Sequence, residues 1–296
     1  MFHKSNRLRL LAVLGLAACH RSARQPVVLD AFQPVAAVTL HCPVEASPRG
    51  PIPLDVTMVA DARTYWDNQG LIDEALQIIL VRRDLPGLVA IASTDPAAIM
   101  QPTPALPGRP SDEAMARDQS RITQQKQFDL APYVRPRAGT SAYFVVSTFS
   151  DAWAGPYSLR VADPAGRPMS SADGTGVIGN AEAWTEPPLA TRGVTVRMDS
   201  VAGTLGVVGG FRAGAANTGK PEMFVTIVLA PLRPKGGLLS GQFRLLAKHQ
   251  GDDVVGGFAV PLSMLVSRDT KPDPGRYVLF AFVGDEAAKA RVFQIP

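Results

Sequence analysis

Glycine and proline interrupt this chain along its whole length, and they limit what it can fold into. The 296 residues include 26 Gly and 26 Pro, and the apolar residues between them occur in short runs. Residues 54–60 (LDVTMVA) alternate between apolar and polar side chains, which is the pattern of a half-buried β-strand. Frequent turn residues and short alternating runs favour strands over long helices. We therefore expect a mainly β chain.

The first half of the chain predicts seven strands. Residues 71–83 also fit a helical stripe, but they run into a Pro-Gly turn at residues 84–87 (DLPG) and then into a second apolar run, so a β-hairpin is the better interpretation. In the last strand, Tyr157, Leu159 and Val161 should point inward. The predicted strands are residues 35–41, 54–60, 75–81, 88–92, 127–134, 142–149 and 157–161.

One helix is predicted within an insertion near residues 95–126. The insertion begins as a proline-rich loop, and Ser111 followed by two acidic residues is typical of a helix start. The helix should end near Gln125 and, because it contains few apolar residues, should lie on the surface.

A second β-rich block follows residues 164–190, which are rich in Gly, Pro, Ser and Ala and lack periodicity, as a linker does. Seven short strands in about 105 residues match the size of an immunoglobulin-like sandwich. These strands are predicted at residues 193–198, 204–212, 223–229, 239–247, 254–262, 277–283 and 289–295.

Residues 273–279 (DPGRYVL) resemble the D-x-G-x-Y-x-C entry into the sixth strand of immunoglobulin-like domains. The resemblance implies that Tyr277 is a structural tyrosine corner, whose hydroxyl bonds to the chain just upstream. Leu279 stands where antibody domains have cysteine, which favours a general sandwich over an antibody-type domain. A glycine-bounded strand of another β fold is the alternative.

A short internal similarity favours two related domains. Residues 142–151 align without gaps on residues 276–285, with Tyr and Asp at the same positions in both and apolar alternation between them. Each segment would be the penultimate strand of its domain.

The amino terminus has the parts of a secretion signal. Three basic residues precede a short apolar run, and Ala17 and Ala18 follow it. As a helix of about 1.5 Å rise per residue, the run is too short to span a ~30 Å hydrocarbon core. The ending LAAC at Cys19 resembles the lipobox of bacterial lipoproteins. This resemblance implies cleavage before Cys19, lipidation of Cys19 and, because His20 rather than Asp follows, sorting to the outer membrane. An ordinary cleaved signal with a chance cysteine is the alternative.

These observations give a domain plan. Residues 1–18 are a signal peptide and residues 19–26 a lipidated tether. Residues 27–163 and 191–296 are expected to be two tandem antiparallel β-sandwich domains of immunoglobulin-like type, joined by the linker 164–190.

Charge and cysteine content exclude some functions. Three of the 30 Lys and Arg residues lie in the signal, which has no acid, so the mature chain has 27 bases against 26 acids and gives no argument for nucleic-acid binding. With Cys19 lipidated, Cys42 has no partner for a disulfide. Cys42 and His41 should point to opposite sides of a strand, so we expect Cys42 to be a small buried residue rather than a nucleophile.

Three partial motifs are better explained as loops. Residues 174–179 match G-x-G-x-x-G but lack the flanking strand and helix of a dinucleotide site. Residues 214–221 resemble a phosphate-binding loop, with Pro221 where a Ser or Thr should bind magnesium. Asp252 and Asp253 could bind a cation, but a polar hairpin turn is the simpler interpretation. We expect no cofactor, metal site or catalytic residues.

Aromatic residues near predicted strand ends are the candidates for binding. Tyr65, Trp66 and Trp153 could stack on sugars or anchor a protein, although aromatics that cap the ends of a sandwich are the more frequent case. We predict a non-catalytic, lipid-anchored envelope protein that contacts the membrane through its lipid and a protein or glycan through its domains. A periplasmic inhibitor or accessory subunit that docks on one protein is the main alternative, and an unrecognised hydrolase is a third.

Overall fold

The computed structural model describes residues 27–29, 31–47, 49–61, 76–83, 87–92, 95–100, 111, 113–114, 121–134, 139–163, 179–214, 222–232, 237–265 and 272–296. Over these residues the chain is mainly β, as predicted. The first strands along the chain are β1 (Val27–Val28), β2 (Ala37–His41), β3 (Glu45–Ala46), β4 (Pro53–Asp61), β5 (Leu76–Arg82), β6 (Leu88–Ala92), β7 (Arg121–Asp129), β8 (Gly139–Phe149) and β9 (Ala152–Asp163).

The C-terminal half continues this pattern, and each of its seven predicted strands overlaps an observed one. A 3-10 helix (Leu262–Met264) separates two of the long strands. The strands are β10 (Gly179–Asn180), β11 (Glu182–Ala183), β12 (Gly193–Val201), β13 (Thr204–Gly214), β14 (Glu222–Pro231), β15 (Leu239–Leu246), β16 (Lys248–Gln250), β17 (Asp253–Pro261), β18 (Gly275–Val283), β19 (Glu286–Ala287) and β20 (Arg291–Ile295).

The strands form four sheets. Sheet I has the order β2-β4-β7, and sheet II has the order β3-β9-β8-β5-β6. Sheet III has the order β1-β20-β18-β14-β15-β10, with β19 beside β18, and sheet IV has the order β11-β17-β13-β12, with β16 beside β17. The predicted hairpin is present, since β5 and β6 pair antiparallel from Gln77 opposite Ala92 to Val81 opposite Leu88.

Each half encloses an apolar core between two sheets. Sheets I and II bury Leu54, Met58 and Phe128 between them, and sheets III and IV bury Phe211 and Phe258. Full burial of one such side chain contributes about 1.5–3 kcal/mol to folding. The two halves are therefore sandwich-like, and apolar burial is what stabilises each of them.

A third apolar layer joins the halves, and we call it the middle layer. It lies between the outer faces of sheets II and III, where Phe144 stacks on Phe282 with ring centroids 5.0 Å apart. At its edge Arg83 forms an ion pair of 2.9 Å with Asp285. Strands buried on both faces favour apolar side chains at most positions, which explains the long, nearly continuous apolar runs of β5, β8, β14 and β18. The buried members are Ile79, Val81, Phe144, Val146, Val228, Ala230, Leu232, Val278, Phe280, Phe282 and Val292.

The two halves have the same strand order. Counting seven main strands in each half, strands 1, 2 and 5 form one sheet in the order 1-2-5, and the rest form the other in the order 7-6-3-4. The sixth strands are β8 and β18, which contain the two similar segments found in the sequence. In the turn after each, Ser150 and Gly284 occupy aligned positions and have φ values of 54° and 55°. The seven strands are β2, β4, β5, β6, β7, β8 and β9 in the first half, and β12, β13, β14, β15, β17, β18 and β20 in the second.

Three local predictions are wrong. The predicted strand 127–134 continues only to Asp129, where β7 ends, and residues 131–133 form a turn. Residues 121–125, expected in a helix, belong to β7. The start of that helix is better placed, because the Ser111 hydroxyl accepts a hydrogen bond of 3.2 Å from the Ala114 amide, as an N-cap does. Tyr157, expected to be buried with Leu159 and Val161, is 40% exposed. The pairing of β8 with β9 is irregular immediately before Tyr157 in the chain, so Tyr157 lies at the end of the regular pairing rather than within it.

Two short segments attach to the C-terminal half. The domain plan from sequence places residues 27 and 28 in the first domain, but β1 pairs with β20 in sheet III. The described end of the expected linker, residues 179–190, is also attached, since β10 pairs with β15 and β11 pairs with β17. Residues 164–178 lie outside the described residues.

Candidate interaction surface

Most of the residues that the sequence nominates lie outside the described residues. These are Cys19, with the signal peptide and tether, and the aromatic pair Tyr65 and Trp66. The chain leaves the described structure at Asp61, the last residue of β4, and returns at Leu76, the first residue of β5.

Trp153 is described, and it is half-buried. It packs against the middle layer, and its ring stacks on Phe32 with centroids 6.4 Å apart. The guanidinium of Arg276 lies 5.2 Å from the centroid of the same Phe32 ring. The structure thus places Trp153 at the junction of the two halves, where it packs against the middle layer.

Tyr277 makes the contact that the sequence predicts for a tyrosine corner. Its hydroxyl donates a hydrogen bond of 3.0 Å to the carbonyl of Asp273, four residues upstream, and its ring is 1% exposed. Burial and the nearby charge of Asp273 raise the pKa of Tyr277 above its ordinary value. The side chain therefore holds the entry to β18 in place.

Cys42 packs against the first core, and its neighbour His41 is exposed on the other side of the strand. Burial raises the pKa of the Cys42 thiol, so little of it is thiolate near neutral pH. This agrees with the expected role of Cys42 as a small packing residue.

The Asp252-Asp253 pair lies in a hairpin turn, as the simpler interpretation predicted. Gln250 is opposite Asp253 in the pairing of β16 with β17, and the Asp253 carboxylate accepts a hydrogen bond of 2.8 Å from Arg192. Within the described part of the chain, no group of three or more His, Cys, Asp and Glu side chains is placed to hold a metal ion.

Two other carboxylates accept hydrogen bonds near one end of sheet I. The Tyr133 hydroxyl and the Ala97 amide donate hydrogen bonds to Asp95 and lower its pKa, and burial together with Asp95 raises the pKa of Tyr133. Asp129 accepts bonds from the amides of Ile52 and Ala131. Both carboxylates therefore organise loops.

Residues 184–186, which we call the strap, lie on the outer face of sheet IV. The Trp184 amide donates to the Gly257 carbonyl on β17, and Glu186 pairs with Arg197 on β12. A Cβ atom on Gly257 would lie 2.1 Å from the Trp184 carbonyl oxygen, so only glycine allows this crossing. The strap therefore covers part of this face, while Thr195 and Arg197 of β12 remain exposed on it.

The corresponding face of sheet I is uncovered among the described residues, and we call it the open face. It is polar, and its strand order places side chains in rows across β2, β4 and β7. One row is His41, Asp55 and Gln127, in which the Gln127 amide donates a hydrogen bond of 2.8 Å to Asp55. The polar side chains of the open face include Thr39, His41, Asp55, Thr57, Thr123, Gln125 and Gln127, and Ala37 and Val59 lie on the same face.

Hydroxyl, amide, imidazole and carboxylate groups on a flat sheet provide donors and acceptors without a strong net charge. Such a surface can exchange hydrogen bonds with a hydroxyl-rich ligand or with the polar surface of a protein. The sequence did not nominate these residues. The polar positions of 54–60 were the available indication, but the rows form only once the strand order is known.

The comparisons with known proteins add no family. No protein-family model matches the chain, and no curated protein matches it. In the parts of the chain that the structure describes, no helix has both the length and the apolar character needed to cross a membrane.

Proposed function

We propose that this protein is a non-catalytic, lipid-anchored protein of the cell envelope that binds a protein or glycan through the open face. The lipobox resemblance at Cys19 supports the anchor. Its two domains are proposed to be tandem immunoglobulin-like sandwiches. The 1-2-5 and 7-6-3-4 strand orders in both halves and the contact between Tyr277 and Asp273 support that assignment.

The observation that carries the binding role is the contrast between two equivalent faces. In the C-terminal half, glycines and small apolar residues line the centre of the outer face on β13 and β17, and the strap crosses it, while Thr195 and Arg197 of β12 stay exposed. In the N-terminal half, polar side chains extend over all three strands of the face and are mostly exposed, and no described segment crosses them. A surface that is partly covered in one copy of a fold and polar and exposed in the described part of the other is available to a partner.

The anchor is tested by fractionation. Cys19→Ala should move the protein from the membrane fraction to the soluble fraction, because the lipid is proposed to be the only attachment. If Cys19→Ala protein stays in the membrane fraction, the anchor proposal is wrong.

Binding is tested with a face variant and a matched control. The face variant carries Thr39→Ala, His41→Ala and Gln125→Ala, three exposed positions on sheet I. The control carries Lys248→Ala, His249→Ala and Asp252→Ala, three exposed positions at the hairpin of β16 and β17. Both should unfold at the wild-type urea midpoint, since exposed substitutions change stability by less than about 0.5 kcal/mol.

Each protein is used for capture from solubilised envelope and for titration with purified envelope polysaccharide. The face variant should lose at least about tenfold in binding, and the control should bind as wild type does. Equal binding by both variants would contradict the role of the open face. Recovery of one protein in a fixed stoichiometric ratio would favour the inhibitor or accessory-subunit alternative over a general scaffold.

A further inference from the structure

The point at which the tether leaves the folded body is fixed by backbone pairing. Val27 is opposite Gln294, Val28 is opposite Phe293, and the Leu29 amide donates a hydrogen bond of 3.0 Å to the Val292 carbonyl. β1 is antiparallel to β20, so the chain preceding Val27 emerges beside the last residues of β20. We call this the exit end of the molecule.

The exit end lies at one end of the strands of sheet III. Ile295 is opposite Gly275, the first residue of β18, and Tyr277 is opposite Pro231, the last residue of β14. At the other end of β14, Glu222 is opposite Leu246. At about 3.4 Å per residue, the nine steps from Glu222 to Pro231 place Leu246 about 30 Å from the exit end.

The N-terminal half is oriented in the same way. After β1, Phe32 lies under Arg276, and the amides of Val35 and Ala36 donate to the Asp151 carboxylate at 3.0 Å each. β2 therefore starts on the side of the exit end and runs away from it to His41. The row of the open face that contains His41 lies at the far end of β2.

The tether is short compared with the body. The tether, residues 19–26, has eight residues. They span at most about 28 Å when fully extended, and about 16 Å on average as a flexible coil. An orientation with Leu246 toward the lipid would require the tether to exceed its average span about twofold.

We infer that the exit end of the molecule faces the phospholipid headgroups, and that Leu246 and the His41 row of the open face point away from them. This inference rests on the proposed lipid at Cys19. The partner that the exit end contacts is the surface of the bilayer in which that lipid is inserted. The open face is therefore presented to the space beyond the membrane.

The test uses one fluorophore at each end of the lipidated protein. Pro296→Cys labels the exit end, and Leu246→Cys labels the far end, where the native side chain is 79% exposed. Both are made with Cys42→Ala and incorporated into phosphatidylcholine and phosphatidylglycerol vesicles that contain a headgroup nitroxide quencher. Flotation first establishes that the protein is on the vesicles.

The label at residue 296 should be quenched several-fold more than the label at residue 246. Equal or reversed quenching on protein that floats would overturn the orientation and leave the anchor standing. Protein that does not float would overturn the anchor and the orientation together. Pro274→Cys, exposed beside the start of β18, is a second exit-end position that should behave like Pro296→Cys.

Tether length provides the internal control. Inserting about 20 flexible residues after Gln25 raises the average span to about 30 Å, comparable to the body. The quenching difference between the two labels should then largely disappear. If it persists unchanged, something other than the tether holds the exit end at the membrane, and the argument from length is wrong.

Discussion

At the scale of single residues, some positions cannot accept an additional atom, because a neighbouring group already occupies the space. Gly257 is the clearest case, because the strap crosses its backbone. Gly257→Ala should lower the free energy of unfolding by about 1–3 kcal/mol, since the new methyl group would force the strap off sheet IV. Urea unfolding measures this, with Gly237→Ala as the control, because a Cβ there meets nothing within 4 Å. Equal stability of the two variants would contradict the crossing.

Tyr277 gives a pH-dependent prediction. Its pKa is raised in the folded protein, so its contribution to stability is fully present below its unfolded pKa of about 10 and is lost as pH rises through the folded value. Tyr277→Phe should cost about 0.5–1.5 kcal/mol at pH 8 through the lost hydrogen bond. Tyr277→Phe protein should also lose less stability than the wild type between pH 10 and pH 11, the range of about one unit above the unfolded pKa of tyrosine. Tyr157→Phe, at an exposed position, should leave both the pH 8 stability and the alkaline loss unchanged.

The sequence could predict the roles of some residues but not of others. The contact of Tyr277 is local in sequence, so a short motif was enough to indicate it. The open face is not local, because His41, Asp55 and Gln127 come from three strands and meet only through the order β2-β4-β7. The packing of Trp153 against Phe32 could not be predicted from the sequence, because the two residues are more than a hundred positions apart.

At the scale of elements, strands were predicted well and their surroundings less well. Period-two alternation and Gly-Pro turns marked the hairpin of β5 and β6 and the seven long strands of the C-terminal half. β7 was mistaken in part for a helix because its outward side chains belong to the polar open face. The strap was taken as linker because nothing in its composition shows that a glycine-lined surface lies beneath it.

The segment between β1 and β2 connects both halves, which allows a double-mutant test. Phe32→Ala and Trp153→Ala should each destabilise the protein, Trp153→Ala by about 2–4 kcal/mol, because both rings pack at the middle layer. Their effects should be non-additive by about 0.5–1.5 kcal/mol, the coupling expected for stacked rings. Urea unfolding of the two single variants and the double variant measures the coupling. Strict additivity would mean that the rings do not interact.

At the scale of the whole molecule, the middle layer makes the two sandwiches one body. Phe282→Ala should lower stability by about 3–5 kcal/mol, because the ring is buried against Phe144 of the other half. Trp184 fluorescence reports on the C-terminal half and circular dichroism on both halves, because Trp153 lies at their junction. Both midpoints should fall together, while Leu246→Ala, at an exposed position, should move neither. A shift confined to Trp184 would mean that the halves unfold independently.

The meeting of β1 with β20 has a consequence for biosynthesis. A polypeptide made from its amino end carries β1 early, but β20, which completes its hydrogen bonds, is made only after all the strands between them. Products terminated before residue 291 leave β1 without its pairing strand and lack the Phe293 ring that fills the second core. Premature termination thus leaves sheet III unfinished at the edge where β1 and β20 meet.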